Sequence, residues 1–326
     1  MHKIKDKGWS EKIFKAYDIR GKFPEEINED AAYKIARAFA RYLNIGNAEG
    51  RVLKIILSAD ARVSSPALKE AFMDGLIDEG AEIIDAGFTT TPMHYFIVNV
   101  SGADGGAMIT ASHIPPPANG IKLSKRGAVP IFGGGGMEEL KNDAVRGIFA
   151  AAPLQGRDFA EGGNRGKIIH KDYLEDYIQF LTSHFSFLTA YPAQLVACAG
   201  NGMASILLRK LFSRFPKMKV DFLHDDLDMT FPNHEADPLK PENTEDVQKQ
   251  MKRKKYDLGI SFDGDGDRVG FLDKLGSRVS GDIITALLAK HFIKTGEKIV
   301  YDLRSSWALK EEIVHLGMVP IESKVG

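Results

Sequence analysis

The sequence is short of most features that announce a function directly. It has one cysteine, Cys198, so no internal disulfide can form, and a reducing cytoplasm is the expected setting. No stretch of 18 uninterrupted apolar residues occurs, so no membrane-spanning helix is expected. The opening MHKIKDKGWSEKIFKAYDIRG is polar and lacks the apolar centre of a signal peptide. Charge of one sign is missing too: 43 Lys and Arg stand against 44 Asp and Glu. No global field therefore favours nucleic acid or an anionic membrane, and any anion must be held locally. Small molecules are the expected partners, with the chain a monomer or weak dimer. Cys198 lies in the apolar run LVACA and reads as a small buried hydrophobe.

What is present is a recurring unit of apolar strand, polar loop, amphipathic helix and second strand. It spans residues 52–87, 193–224 and 297–326. β-Branched runs alternating with helical periodicity mark βαβ units. The expected fold class is therefore α/β: three related domains with mixed, largely parallel sheets sandwiched by helices. The expected division is 1–155, 156–256 and 257–326, with a Gly- and Ala-rich exit at residues 146–167 and a charged helix at 246–257. The basic cluster Lys252 to Lys255 reads as a solvated helix face. The third unit stops after its second strand, so the third domain is expected to be incomplete.

The strongest local signal is SFDGDGDRVG, in which Asp263, Asp265 and Asp267 alternate with two glycines after an apolar strand. Glycines let the backbone curl until the carboxylates converge, and converging carboxylates repel unless a cation neutralises them. Oxygen ligands suit Mg²⁺ or Ca²⁺. An EF-hand loop does not fit: with Asp263 first, position six is Arg268 where glycine is needed and position twelve is Lys274 where glutamate is needed. Arg268 instead sets a fixed cation beside the metal, which suits a phosphoryl group. A plain Ca²⁺-binding module is the reading left if this loop stands alone.

A second signal is GGAMITASHIPPPANGIKLS, where Ser112 sits as a strand gives way to a Pro-rich loop. A lone strand-end serine is usually a turn residue, His113 alone is usually structural, and Lys122 alone is usually a surface lysine. Together they say more. Phosphoryl transfer needs a nucleophile, a metal, cations for the phosphate oxygens and a proton acceptor. Ser112, the three aspartates, Arg268, Lys122 and Arg20 supply those parts.

With these residues in view, the chain resembles the α-D-phosphohexomutase family, in its phosphomannomutase/phosphoglucomutase branch. FKAYDIRG, TASHIP, NGIK, FPNHEADPLKPEN, FDGDGDR, DLRSSWAL and ESKVG match the family's segments in the family's order. The resemblance implies a hexose 1-phosphate/6-phosphate mutase acting on mannose or glucose phosphates through phosphorylated Ser112 and a hexose 1,6-bisphosphate. It implies one Mg²⁺ held by Asp263, Asp265, Asp267 and the Ser112 phosphate. Arg20 and Lys122 become proton-transfer or charge-stabilising groups, His113 and Arg268 position the phosphoserine, and Lys324 contacts phosphate.

The chain departs from the family pattern at several points. Ile114 replaces an asparagine. Ser58, Ala59 and Asp60 stand where Gly-Arg-Asp is usual, although Arg62 remains. Cys198 and Ala199 precede Gly-Asn-Gly where an aspartate is common, and Ser280 replaces an acidic or proline residue. The family's sugar-reading loop and fourth domain do not occur within the 326 residues. The sequence is thus expected to be C-terminally truncated, with impaired turnover. A non-catalytic sugar-phosphate-binding protein that keeps the fold is the alternative.

Overall fold

The computed structural model describes residues 8–45, 50–147 and 166–324. Its first unit contains β1 (Ile19–Lys22), α1 (Glu29–Asn44), β2 (Lys54–Ala59), α2 (Ser65–Asp78), β3 (Glu82–Phe88) and α3 (Thr91–Val100). There follow β4 (Gly105–Ile109), β5 (Ala118–Lys125), β6 (Val129–Pro130), α4 (Met137–Arg146) and β7 (Ile168–His170). Seven strands form one sheet in the order β1-β5-β4-β2-β3-β7, with β6 on β5. β4, β2, β3 and β7 run parallel, and β1, β5 and β6 are joined by antiparallel pairing.

Alternation along β2 explains the sandwich. Ile55 and Leu57 face a core shared with α1, α2 and α4, whereas Ile56 faces a second core with Ile97 and Val98 of α3. Helix α1 shows the local logic. The Asn28 side chain caps it by accepting from Ala31 N–H, and Ala31, Ile35 and Ala38 form its buried stripe.

The second unit comprises α5 (Leu174–His184), β8 (Ala193–Cys198), α6 (Leu208–Phe212), β9 (Met218–Leu223), α7 (Glu245–Arg253), β10 (Leu258–Phe262), β11 (Val269–Leu272) and β12 (Arg278–Val279). The sheet order is β12-β11-β10-β8-β9. Leu195 and Ala197 pack towards Leu208, and Val196 and Cys198 pack towards Val247 and Met251 of α7. A smaller unit follows: α8 (Gly281–Phe292), β13 (Lys298–Asp302), α9 (Trp307–His315) and β14 (Val319–Ser323), with β13 and β14 paired in parallel. No helix among the described residues is long and apolar enough to cross a membrane.

The α/β class and the repeated βαβ units are therefore present, but the division differs from the one expected. The boundary at 155/156 lies outside the described residues, and β7, just beyond it, completes the first sheet beside β3. The boundary at 256/257 is displaced. β10 and β11, expected to open a third unit, belong to the second sheet, because β10 hydrogen-bonds β8 in parallel from Leu258 to Ser261. The acidic loop thus projects from the carboxyl end of that sheet. Ser112 follows the carboxyl end of β4 in the other sheet.

Candidate active site

Ser112 occupies a loop held in an uncommon conformation. Its φ is 55°, a left-handed value that a side chain with Cβ seldom adopts. Two contacts hold it there. Its N–H donates to Thr110 Oγ1 at 3.0 Å, and its carbonyl accepts from Arg62 Nη2 at 2.7 Å. Arg62 is itself fixed by Asp60 Oδ2 at 3.0 Å, and Ser65 Oγ donates to Asp60 Oδ1 at 2.5 Å. Burial pushes the Asp60 carboxyl up, and the charge of Arg62 opposes that push. The Ser112 hydroxyl donates to Asp263 Oδ2 at 2.9 Å and lies 3.3 Å from His113 Nδ1.

The acidic loop meets this serine backbone to backbone. A Cβ on Gly264 would fall 2.4 Å from the Ser112 carbonyl oxygen, so only glycine admits the approach. Gly266 takes φ 74°, which turns the chain and lets the carboxylates face one another. One carboxylate oxygen from each of Asp263, Asp265 and Asp267 lies within 4.8 Å of the others. Asp263 and Asp265 are fully buried, and the Asp267 side chain is 31% exposed.

Lys122, on β5, reaches across from the first sheet. Its Nζ lies 2.6 Å from Asp265 Oδ2 and 2.5 Å from Asp267 Oδ2. Burial alone would lower its pKa, but the two carboxylates outweigh burial and hold the ammonium well above its ordinary value. Asp265 is held below the usual carboxylate range: burial raises it, and Lys122 with Thr91 overcomes that. Asp263 has no such cation. Burial and the negative charges of Asp265 and Asp267 push its carboxyl above the usual range. One ammonium leaves three carboxylates under-compensated, and Asp265 Oδ1 is buried with no hydrogen-bond partner among the described residues. An unpartnered buried oxygen beside a carboxylate driven to hold its proton is what a hard divalent cation would relieve. The three aspartates and the Ser112 oxygen fit Mg²⁺.

The remaining expected site residues fall in different places. His113 is half-buried; burial, and then the charges of Arg268 and Arg20, lower its pKa, so its ring is neutral at pH 7. Arg20 lies on β1 opposite Gly120 of β5 and pairs with Asp18 at 2.5 Å. Arg268 donates its N–H to Asp263 Oδ1 at 3.0 Å, and its Nη1 lies 3.9 Å from Asp237 Oδ1. Lys324 is not brought into this group. It is exposed at the end of β14, where its carbonyl accepts from Ser323 Oγ at 3.2 Å.

One participant was not singled out from the sequence, and another was noted there only as the matching segment FPNHEADPLKPEN. Thr91 Oγ1 donates to Asp265 Oδ2 at 2.6 Å, and Thr91 N–H donates to the Asp265 carbonyl at 2.9 Å. The run TTTP signals a helix start at Thr90, whose side chain accepts from Met93 N–H, but gives no hint of the long-range bond made one residue later. The second is the loop after β9. Ala236 O accepts from Gly264 N–H at 3.2 Å, and the Phe231 ring lies under the Arg62 guanidinium at 5.5 Å.

Comparison with known proteins gives the family of the two units that meet here. Residues 11–134 match the phosphoglucomutase/phosphomannomutase α/β/α domain I, and residues 172–276 match domain II of the same family. A phosphomannomutase of Salmonella typhimurium is 37% identical over 319 residues, covering 96% of this chain and 67% of the relative. The chain belongs to the phosphoglucomutase/phosphomannomutase family. A Vibrio cholerae phosphomannomutase is 36% identical over 319 residues, which are 96% of this chain and 66% of the relative. Among solved structures, a family protein of Burkholderia thailandensis superposes with a TM-score of 0.82 at 30% identity, over 98% of this chain and 67% of that one. The chain thus spans about two thirds of the length of the relatives it matches. The family's domain II ends at 276 here, in agreement with the sheet that carries the acidic loop.

Proposed function

We propose that this chain carries the phosphoserine chemistry of a phosphohexomutase that interconverts hexose 1-phosphate and 6-phosphate, with mannose and glucose phosphates as the substrate class. The observation that carries this reading is the 2.9 Å contact between Ser112 Oγ and Asp263 Oδ2, inside a carboxylate cluster that Lys122 enters from the other side. Names of the relatives, phosphomannomutase among them, support the substrate class.

In the loading half-reaction Ser112 Oγ attacks one phosphorus of a hexose 1,6-bisphosphate. A P–O bond to serine forms, the P–O bond to the sugar breaks, and the sugar oxygen leaves as a hydroxyl once protonated. In the return half-reaction the other hydroxyl of a hexose monophosphate attacks the phosphoserine, and Ser112 Oγ becomes the leaving group. The serine proton has two acceptors within reach, Asp263 Oδ2 and the neutral His113 Nδ1. For phosphate to sit on Oγ, the Ser112–Asp263 hydrogen bond must give way. Arg62 keeps the serine backbone in place while that happens. Lys122 enters as a protonated ammonium, so its part is charge stabilisation. Arg20 and Arg268 add fixed positive charge around His113, where phosphate oxygens would lie. Mg²⁺, held by Asp263, Asp265 and Asp267 with the Ser112 oxygen, would neutralise charge building on the moving phosphoryl group.

The test is mass spectrometry of the purified chain before and after incubation with glucose 1,6-bisphosphate and Mg²⁺. The expected result is one phosphate localised to Ser112, absent in Ser112→Ala and absent when Mg²⁺ is chelated. Phosphate retained in Ser112→Ala would overturn the assignment of the nucleophile. Sugar-phosphate binding with no phosphorylation would favour a non-catalytic member of the family.

A further inference from the structure

Cys198 was expected to be a small buried hydrophobe, and buried it is. The fold also gives it two neighbours that packing does not require. Cys198 ends β8, His224 follows β9, and His234 stands ten residues further along the loop that backs the acidic site. One donor atom from each of the three lies within 4.8 Å of the others.

The hydrogen bonds around the two rings fix which nitrogen can donate a lone pair. His234 Nδ1 lies 2.8 Å from the Glu235 carbonyl oxygen, which can only accept, so Nδ1 carries the hydrogen. The Nε2 lone pair is then left facing Cys198 Sγ at 3.6 Å. His224 Nε2 lies 3.0 Å from Asp246 Oδ2. Lys249 Nζ donates to the other oxygen, Asp246 Oδ1, at 3.1 Å, so the carboxylate is an ion-paired acceptor and His224 Nε2 carries the hydrogen. His224 Nδ1 therefore has the free lone pair. A carbonyl behind one imidazole and a carboxylate behind the other are the outer partners that orient histidine ligands in metal sites. The rings meet edge to face with centroids 5.2 Å apart. His224 is 19% exposed, which leaves a route for an ion from solvent.

We propose that Cys198, His224 and His234 form a second metal site, which takes a borderline divalent d-block ion of the Zn²⁺ class. One sulfur and two imidazole nitrogens suit Zn²⁺ and disfavour Mg²⁺, the reverse of the all-oxygen set at the aspartates. Three protein ligands leave a fourth position for water. Without metal the buried Cys198 thiol donates its hydrogen towards His234 Nε2. On binding, that S–H bond is replaced by a sulfur–metal bond, and the proton leaves to solvent. The ion would join the ends of β8 and β9 to the loop that supplies Ala236 O to Gly264.

The test uses Co²⁺ as a coloured stand-in for Zn²⁺, titrated into the reduced full chain with Mg²⁺ saturating. The chain has one cysteine, so a sulfur-to-cobalt charge-transfer band in the near ultraviolet can come only from Cys198. The expected result is a band that saturates at one equivalent and is bleached by one equivalent of Zn²⁺. Cys198→Ser should lose the band, and His224→Gln and His234→Gln should each weaken Co²⁺ binding about tenfold or more. The histidine variants keep the test sound if Cys198→Ser fails to fold, because both rings are partly exposed. Absence of the band at stoichiometric Co²⁺ would overturn the proposal and leave a thiol–imidazole hydrogen bond in its place. A band that survives in the His224→Gln/His234→Gln double variant would overturn it equally.

Discussion

Ser112 Oγ and Asp263 Oδ2 are 151 residues apart in the chain and 2.9 Å apart in space. One belongs to a loop of the seven-stranded sheet and the other to a loop of the five-stranded sheet, so the site exists only where the two units meet. Thr91 and Lys122 from the first unit, both bonded to Asp265 of the second, make the same junction.

Lys122 is the only described cation that touches two of the three carboxylates. Removing it leaves buried negative charge uncompensated, which costs about 3 kcal/mol when one partner of a buried pair is deleted. Lys122→Met should therefore lower the unfolding midpoint of the metal-free chain by roughly 6–12 °C, and saturating Mg²⁺ should restore most of the loss. Thermal unfolding with and without Mg²⁺ measures this. Equal losses in both conditions would show that Lys122 does not stand in for a cation.

Gly264→Ala places a methyl group 2.4 Å from the Ser112 carbonyl oxygen, and neither backbone can yield without parting the two loops. Phosphorylation of Ser112 by the bisphosphate should fall by about 10²-fold or more, since misplacement of about 1 Å costs that much. Circular dichroism should remain that of the parent. A variant that phosphorylates at the parental rate would mean that the loops are not held in this contact during the reaction.

The response to acid should carry the mark of Asp104. Burial pushes its carboxyl up, but hydrogen bonds from Arg51, Lys54 N–H and Arg126 hold it well below its unfolded value of 3.8. A depressed carboxyl contributes stability above its unfolded pKa, and that contribution is lost as pH falls through the folded one. Asp104→Asn should thus cost about 1 kcal/mol at pH 7, with the partly exposed arginines discounted for solvent screening. The difference from wild type should shrink as pH is lowered from 3.8. Urea unfolding across that range checks it, and a constant difference would refute it.

Amide exchange should separate the last unit from the rest. Two strands with a core of Ile299, Tyr301, Leu309, Ile313 and Met318 are marginal by themselves, and Val300 and Trp307 are 64% and 76% exposed. Amides of Lys298–Asp302 and Val319–Ser323 should exchange about 100-fold faster, or more, than those of the fully buried β4. Equal protection would show that the smaller unit is bound into the same cooperative core.

The βαβ units were legible in the sequence because local periodicity and turn chemistry determine them: Ile55, Ile56 and Leu57 followed by an amphipathic stretch read the same way in the chain and in space. The acidic loop was legible because alternating aspartate and glycine has few other uses after an apolar strand. Partner choice was not legible. The run Leu258–Phe262 looks the same whether it opens a new sheet or completes an old one, and only its pairing with Leu195–Cys198 decides. Thr91 was hidden for the same reason, since its role lies in a bond to a residue 174 positions away. Lys324 is a different case: a short matching segment suggested a phosphate contact, and the fold sets the residue, exposed, at the end of a strand of the last unit.

Because Ser112 and the carboxylates come from separate sheets, the gene has a seam that recombination must respect. A chimera joined between residues 134 and 172 would take Ser112, Thr91 and Lys122 from one parent and the acidic loop from the other. Each half could fold and still present surfaces that had never been matched. Inactive chimeras of that design would still carry Ser112, Lys122 and the three aspartates, and their fault would be found at the contact of Gly264 with the serine loop. The same holds for natural variants: a substitution that merely tilts one unit against the other would look, in an activity screen, like loss of the Ser112 hydroxyl itself.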